Sequence, residues 1–210
     1  MLWVVLRRDG TEPPRFIEAP AAWTWHCVNA FEVGDTIVVD WIGYDAPDHF
    51  IGRNAALSTM VRGEIGEAAS PGVLRRTELH LRTGSARNQI LAVGNFEFPT
   101  TRPEDQGFAD RSAFMTTARS GTVIANGIAR IDLSSGARDG FEFDADTYVG
   151  EPVPAGGGHL TTMGLDSASG RAFLAIFATG AIADGPVATA WLGHPLPATF
   201  HGAWSPDRLR

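Results

Sequence analysis

Cysteine is nearly missing from this chain: Cys27 is its single example in 210 residues. No intrachain disulfide is therefore available, no zinc site of the paired-cysteine kind can form, and a reducing cytoplasm is the expected setting. Lysine is missing altogether, since all 17 basic side chains are arginine. That excludes Schiff-base catalysis, a P-loop lysine and any other mechanism that needs an ε-amine. Positive charge is also scarce. Against 24 acidic residues the net charge is −7, with no basic stripe to release counterions from phosphates, so nucleic acid is not an expected partner. Long apolar runs are absent too, for nothing approaches the roughly eighteen residues of a membrane span. The opening Leu2-Trp3-Val4-Val5-Leu6 meets Arg7 and Arg8 at once, without the apolar length or small-residue cleavage site of a secretory leader.

What is present is an apolar fraction of 44%, enough for one domain with a sizeable core. Glycine at 24 and proline at 13 break the chain into short segments rich in Val, Ile, Thr, Phe and Trp, which predicts an all-β protein. Strands are expected at 2–7, 14–18, 36–42, 73–82, 89–93, 112–117, 127–133, 138–143, 159–166, 171–177 and 187–192, with short helical or loop insertions only at 54–60 and 64–69. The clearest alternation, Leu74 to Arg82, has one partly polar face, as an exposed outer strand would. Two hairpin turns share a pattern: Asp132-Leu133-Ser134-Ser135-Gly136 recurs about thirty-four residues later as Asp166-Ser167-Ala168-Ser169-Gly170. That spacing suits propeller blades of about 40–50 residues, of which the chain holds roughly four. A strand that starts directly after Met1, with no lead-in, suggests that the sequence begins inside something larger.

Six histidines are the natural candidates for chemistry: His26, His49, His80, His159, His194 and His201. His80, between Leu79 and Leu81, is expected to face solvent. His49, His159 and His194 sit in loops beside Pro, Gly or Asp with no partner at a metal-binding spacing. His26 and His201 differ, because each is embedded among aromatic and apolar residues where an unpaired imidazole would be costly. Spacing alone does not join them, since most of the chain lies between.

The motifs join them. His26-Cys27-Val28-Asn29-Ala30-Phe31-Glu32, followed by Ile37-Val38-Val39-Asp40, then Glu97-Phe98-Pro99, Gly150-Glu151-Pro152 and Phe200-His201-Gly202, appear in an order that resembles the carotenoid cleavage oxygenase family. These non-haem iron enzymes include carotenoid and apocarotenoid dioxygenases and stilbene-cleaving enzymes. The resemblance implies the C-terminal part of a seven-bladed β-propeller, with residues 1–210 as one partial domain lacking the N-terminal half. It implies Fe(II) on the propeller axis held by four histidines, of which His26 matches the third and His201 the fourth. Glu97 and Glu151 match outer-shell carboxylates that accept the second N–H of the ligand rings. Four neutral imidazoles leave the iron dipositive, carboxylates behind them orient the rings, and octahedral iron then keeps two open positions. The reaction implied is dioxygen-dependent cleavage of a conjugated C=C bond in a carotenoid, apocarotenoid or stilbenoid. An incomplete iron site in a truncated, non-catalytic fragment is the alternative, because the family's first two ligands have no counterpart here.

Plainer readings stand beside these. Taken in isolation, Glu97 and Glu151 are turn or surface carboxylates. Trp25, Phe31, Phe96, Phe98, Phe200 and Trp204 either line an apolar tunnel or fill core. Cys27 is expected to be a small buried residue, and Gly156-Gly157-Gly158 a flexible turn. A generic propeller binding module would place His26 and His201 more than about 8 Å apart, too far to share a metal at imidazole distances. Thr100-Thr101-Arg102-Pro103 and the glycines after Pro152 depart from the longer apolar segments usual in the family. As partners, the resemblance leaves open peripheral membrane contact through a patch not contiguous in sequence, a complementing N-terminal half, and self-association through unpaired strand edges.

Overall fold

A computed structural model describes residues 1–49, 51, 55–62, 64, 66–109, 111–197 and 200–205. Among the described residues, fifteen strands form four antiparallel sheets. The first sheet pairs β1 (Leu2–Val5) with β2 (Arg15–Glu18). The second runs β3 (Trp23–Val33), β4 (Thr36–Tyr44), β5 (Val73–His80) and β6 (Ser85–Ala92), each strand beside the next in sequence. The third does the same with β7 (Phe96–Thr100), β8 (Ser112–Ala118), β9 (Ala125–Asp132) and β10 (Arg138–Glu142). In the fourth, β11 (Thr147–Val149) and β12 (Val153–Gly156) both pair with β13 (His159–Asp166), which continues to β14 (Arg171–Ala178) and β15 (Ala188–Trp191). The expected all-β class is the one observed.

The sheets stack face to face because their strands alternate sides with period two. On β4, Val39 and Trp41 turn toward the first sheet and join Ile17 and Leu79, while Ile42 and Tyr44 turn toward the third and join Leu74, Phe96 and Met115. On β8, Met115 faces the second sheet and its neighbour Phe114 the fourth, where Leu160, Phe173 and Phe177 receive it. Both predicted hairpins close through their aspartates. Asp132 accepts from the backbone N–H groups of Ser134 and Ser135, both at 2.9 Å, and Asp166 from that of Ala168 at 3.0 Å; Gly136 and Gly170 take the left-handed backbone that ends each turn. Hydrogen bonds from these serines and main-chain groups hold the Asp132 carboxyl well below its usual range. Gly156 to Gly158 form the expected turn, all with positive φ.

Several expectations are corrected. β5 is not an outer strand, for β4 and β6 flank it. Its polar side chains are accommodated because Arg76 grips the fully buried Asp40 through two 2.7 Å contacts while lying over Phe31, and Arg75 pairs with Asp45 over Trp41. His80 is only partly exposed and bonds Thr36 Oγ1 at 3.0 Å. Cys27 is exposed, since register shifts on either side of it turn its side chain outward. The helix α1 covers Ala56–Val61; Asn54 and Ile65 lie outside the described residues, and 66–69 carries a bridge from Glu67 to Thr122 rather than helix. Among the described residues, no helix is long and apolar enough to cross a membrane.

Candidate functional site

The three larger sheets each present their first strands to one place. β3 carries His26, β7 carries Glu97, and Glu151 lies between β11 and β12. Glu97 is held from three directions. His26 Nδ1 contacts its Oε2 at 2.5 Å, the Phe98 N–H donates to the same oxygen at 2.6 Å, and the Tyr44 hydroxyl donates to Oε1 at 2.7 Å. Thr116 Oγ1 donates to the Glu97 carbonyl at 2.8 Å. Between Glu97 and Thr100 the pairing with β8 shifts register, and Phe98 alone among the described non-glycine residues has a positive φ, at 48°. A left-handed phenylalanine is strained and persists only because its surroundings over-determine it. Here the hydrogen bond to Glu97 and three aromatic contacts do so.

The second pair comes from the chain end. Glu151 spreads its oxygens over two donors, with His201 Nδ1 at 3.2 Å from Oε1 and the Gly202 N–H at 2.8 Å from Oε2. The loop bearing Glu151 is pinned by Thr100 Oγ1 on the Pro152 carbonyl at 2.7 Å and Thr162 Oγ1 on the Gly150 carbonyl at 2.8 Å. The two imidazoles meet edge to face, ring centres 5.1 Å apart. The generic-module expectation of distant histidines is therefore not what the fold gives. Phe98 wedges against both rings, at 5.3 Å and 5.9 Å, and touches Phe200 at 5.7 Å.

With each Nδ1 turned to a carboxylate, the neutral form of each ring is favoured with its proton on Nδ1 and Nε2 left as the acceptor. The hydrogen bond that His26 donates to Glu97 raises the His26 pKa and outweighs burial, which lowers it. Burial, with Glu97 nearby, pushes the Tyr44 phenol far above its ordinary value, so it remains a donor. Beside the histidines opens a largely apolar cavity of about 380 Å³, its wall including Trp25, Phe98, Tyr148 and Phe200 as well as His26 and Glu97. Of the aromatic residues considered for such a wall, Phe96 is core and Phe31 lies under Arg76, while Trp204 is 54% exposed and lies apart from the cavity.

Of the other histidines, His159 and His194 stay at the surface, and His80 lies on β5. His49 is the surprise: it is buried, stands edge-on to Tyr44 with ring centres 4.6 Å apart, and lines the same cavity. Burial lowers its pKa. Tyr44 escapes the sequence reading and His49 is read there only as a loop residue, because nothing in their spacing connects them to Glu97. The scarcity of tyrosine, two in the chain, is the one signal that leads back to Tyr44. No cluster of three or more His, Cys, Asp or Glu side chains arranged to hold a metal occurs among the described residues. Two imidazoles, each held through Nδ1 by a carboxylate so that Nε2 is left to face a ligand, nonetheless fit the nitrogen-preferring side of a non-haem iron site.

Antiparallel sheets stacked face to face, with two histidine–carboxylate pairs brought to one place, define the class: a propeller-type β protein. The family model for retinal pigment epithelial membrane protein matches residues 1–206, and the chain belongs to that family, the carotenoid cleavage oxygenases. It is similar to the apocarotenoid-15,15'-oxygenase of Synechocystis, 27% identical over 212 residues that cover 96% of this chain and 42% of that protein. It is similar also to isoeugenol monooxygenase of Pseudomonas nitroreducens, 28% identical over 97% of this chain and 45% of the relative. A cobalt-substituted structure of the Synechocystis apocarotenoid oxygenase superposes with a TM-score of 0.84 at 26% identity, covering 97% of this chain and 43% of that one. The chain thus spans less than half the length of the relatives it matches.

Proposed function

We propose that His26 and His201 are two of the four imidazoles of an Fe(II) site in a dioxygenase that cleaves a conjugated C=C bond of a carotenoid, apocarotenoid or stilbenoid. Residues 1–210 are then one partial domain, the C-terminal part of a seven-bladed propeller whose four sheets here are blades. The first two ligands belong to a portion of the relatives that this chain does not span. One observation carries the reading: two histidines from opposite ends of the sequence meet 5.1 Å apart, each backed through Nδ1 by its own carboxylate.

Bound iron would supply dioxygen binding and activation beside the alkene. The protein's own part is positional. Glu97 and Glu151 orient the rings and offset the charge of a dication. Glu97, already accepting three hydrogen bonds, is committed to that task rather than to proton transfer. The apolar wall around Phe98, Phe200 and Tyr148 excludes water and takes a flat, conjugated chain or ring.

A second reading, that this chain alone is a non-catalytic fragment with an incomplete iron site, is favoured by the lack of a third ligand among the described residues. Iron content of the 210-residue protein loaded anaerobically with Fe(II) separates the two. Near-stoichiometric iron, lost in both His26→Ala and His201→Ala, means that the chain completes a site by itself or by pairing. Negligible iron assigns the chemistry to a longer or complemented protein.

A further inference from the structure

We infer that Tyr44 is a positioning residue for His26, acting through Glu97: its hydroxyl fixes the plane of the carboxylate that orients the imidazole. This rests on the reading of His26 as a metal ligand. Tyr44 closes β4 and is fully buried. Its single proton has two acceptors in reach, Glu97 Oε1 at 2.7 Å and the Phe96 carbonyl at 3.3 Å. The shorter bond, to a carboxylate, wins. On Glu97 the other two donors, His26 and the Phe98 N–H, both use Oε2. A carboxylate gripped by one oxygen still turns about its terminal bond, and Tyr44 is the only donor on Oε1 among the described residues.

The hydroxyl is itself held in place. The ring packs in the core with Leu74, Phe96 and Met115, and His49 stands edge-on against it. Room for the oxygen comes from Gly72, where a Cβ would fall 3.0 Å from the Tyr44 hydroxyl and 2.0 Å from the Phe96 carbonyl. The same glycine accepts the Phe96 N–H at 2.9 Å, so β7 is registered against the residue that makes space for the phenol. A buried tyrosine placed only to fill volume would not need its hydroxyl directed at the one carboxylate that touches His26.

The test uses the metal-free, ¹⁵N-histidine-labelled chain at alkaline pH, reading the His26 tautomer by nuclear magnetic resonance, with Co(II) titration as a second readout. Wild type is expected to hold one tautomer, protonated on Nδ1. Tyr44→Phe, which keeps the ring, is expected to give a tautomer mixture and about a tenfold weaker Co(II) affinity, the low end for outer partners of ligand histidines. Thr116→Val removes the bond to the Glu97 backbone without touching its carboxylate, and should keep the single tautomer whatever it does to stability. A wild-type tautomer in Tyr44→Phe overturns the inference. Should wild type bind no Co(II), the chain alone completes no metal site, as the fragment reading expects, and the tautomer comparison still decides the role of Tyr44. Should Tyr44→Phe fail to fold, fluorotyrosine incorporation keeps ring and hydroxyl and alters only donor strength. A changed His26 Nδ1 signal then supports the role, and an unchanged one refutes it.

Discussion

The two histidine–carboxylate pairs do the same job with unequal support. His26 and Glu97 sit on strands inside two sheets, with side chains 26% and 18% exposed, and their carboxylate is held by three donors. His201 is 58% exposed on the chain end, and its partner Glu151, only 12% exposed, is the better-held member. The difference teaches that one pair is built by the fold, while the other is completed when a segment of chain docks on a preformed carboxylate. Two bonds, from the His201 ring and the Gly202 N–H, account for that docking at Glu151.

Breaking the first pair should have the largest effect. Glu97→Gln removes the charge that His26 and Tyr44 address, and we expect Co(II) affinity to fall about 10–100-fold, with a stability loss of roughly 1–3 kcal/mol in denaturant titration because the buried donors lose a charged acceptor. Glu151→Gln should weaken the metal about tenfold but leave the denaturation midpoint nearly unchanged, while proteolysis of the residues around His201 becomes faster. Equal stability losses from the two substitutions would erase the contrast.

The comparison sharpens at Phe98, which touches both rings. Because its φ is 48°, Phe98→Gly should be more stable than Phe98→Ala by about 1 kcal/mol, the reverse of the order found in ordinary strands. Chemical denaturation of the two variants measures it.

The smallest effect is in pH. Burial lowers the His49 pKa, so between about pH 7 and pH 5 the unfolded chain takes up a proton that the native one refuses, and stability falls as pH falls. His26 works in the other direction: its raised pKa stabilises the native state at acid pH and loses that contribution as pH rises through the folded value. His49→Phe should therefore make the acid limb less destabilising than in wild type, as followed by thermal unfolding across that range.

What could be read from sequence follows from how local each feature is. The Asp132 and Asp166 turns were legible because each closing aspartate finds its donors within the next three residues. The strand bearing His26 is not among those the sequence pattern predicts, because shifts in register around Cys27 break the period-two alternation that announces a strand. β7 is only five residues long and carries its own irregularity between Glu97 and Thr100. β5 looked peripheral because Arg75 and Arg76 are charged, and only the fold supplies Asp45 and Asp40 to meet them. The candidate site residues came from motif resemblance, whereas Tyr44 and His49 depend on contacts that bring β4 and its following loop against β7, which no spacing encodes.

β4 has one more consequence. From Val38 to Tyr44 it is buried at every position, with β3 and β5 on its edges and cores on both faces. Its amide protons can reach solvent only when the whole molecule opens, so deuterium should enter this strand last, long after it has labelled the segment around His201. The site is thereby given an order of departure: on gentle warming the chain end leaves first, and His26 stays in place, still facing its carboxylate, until the protein itself comes apart.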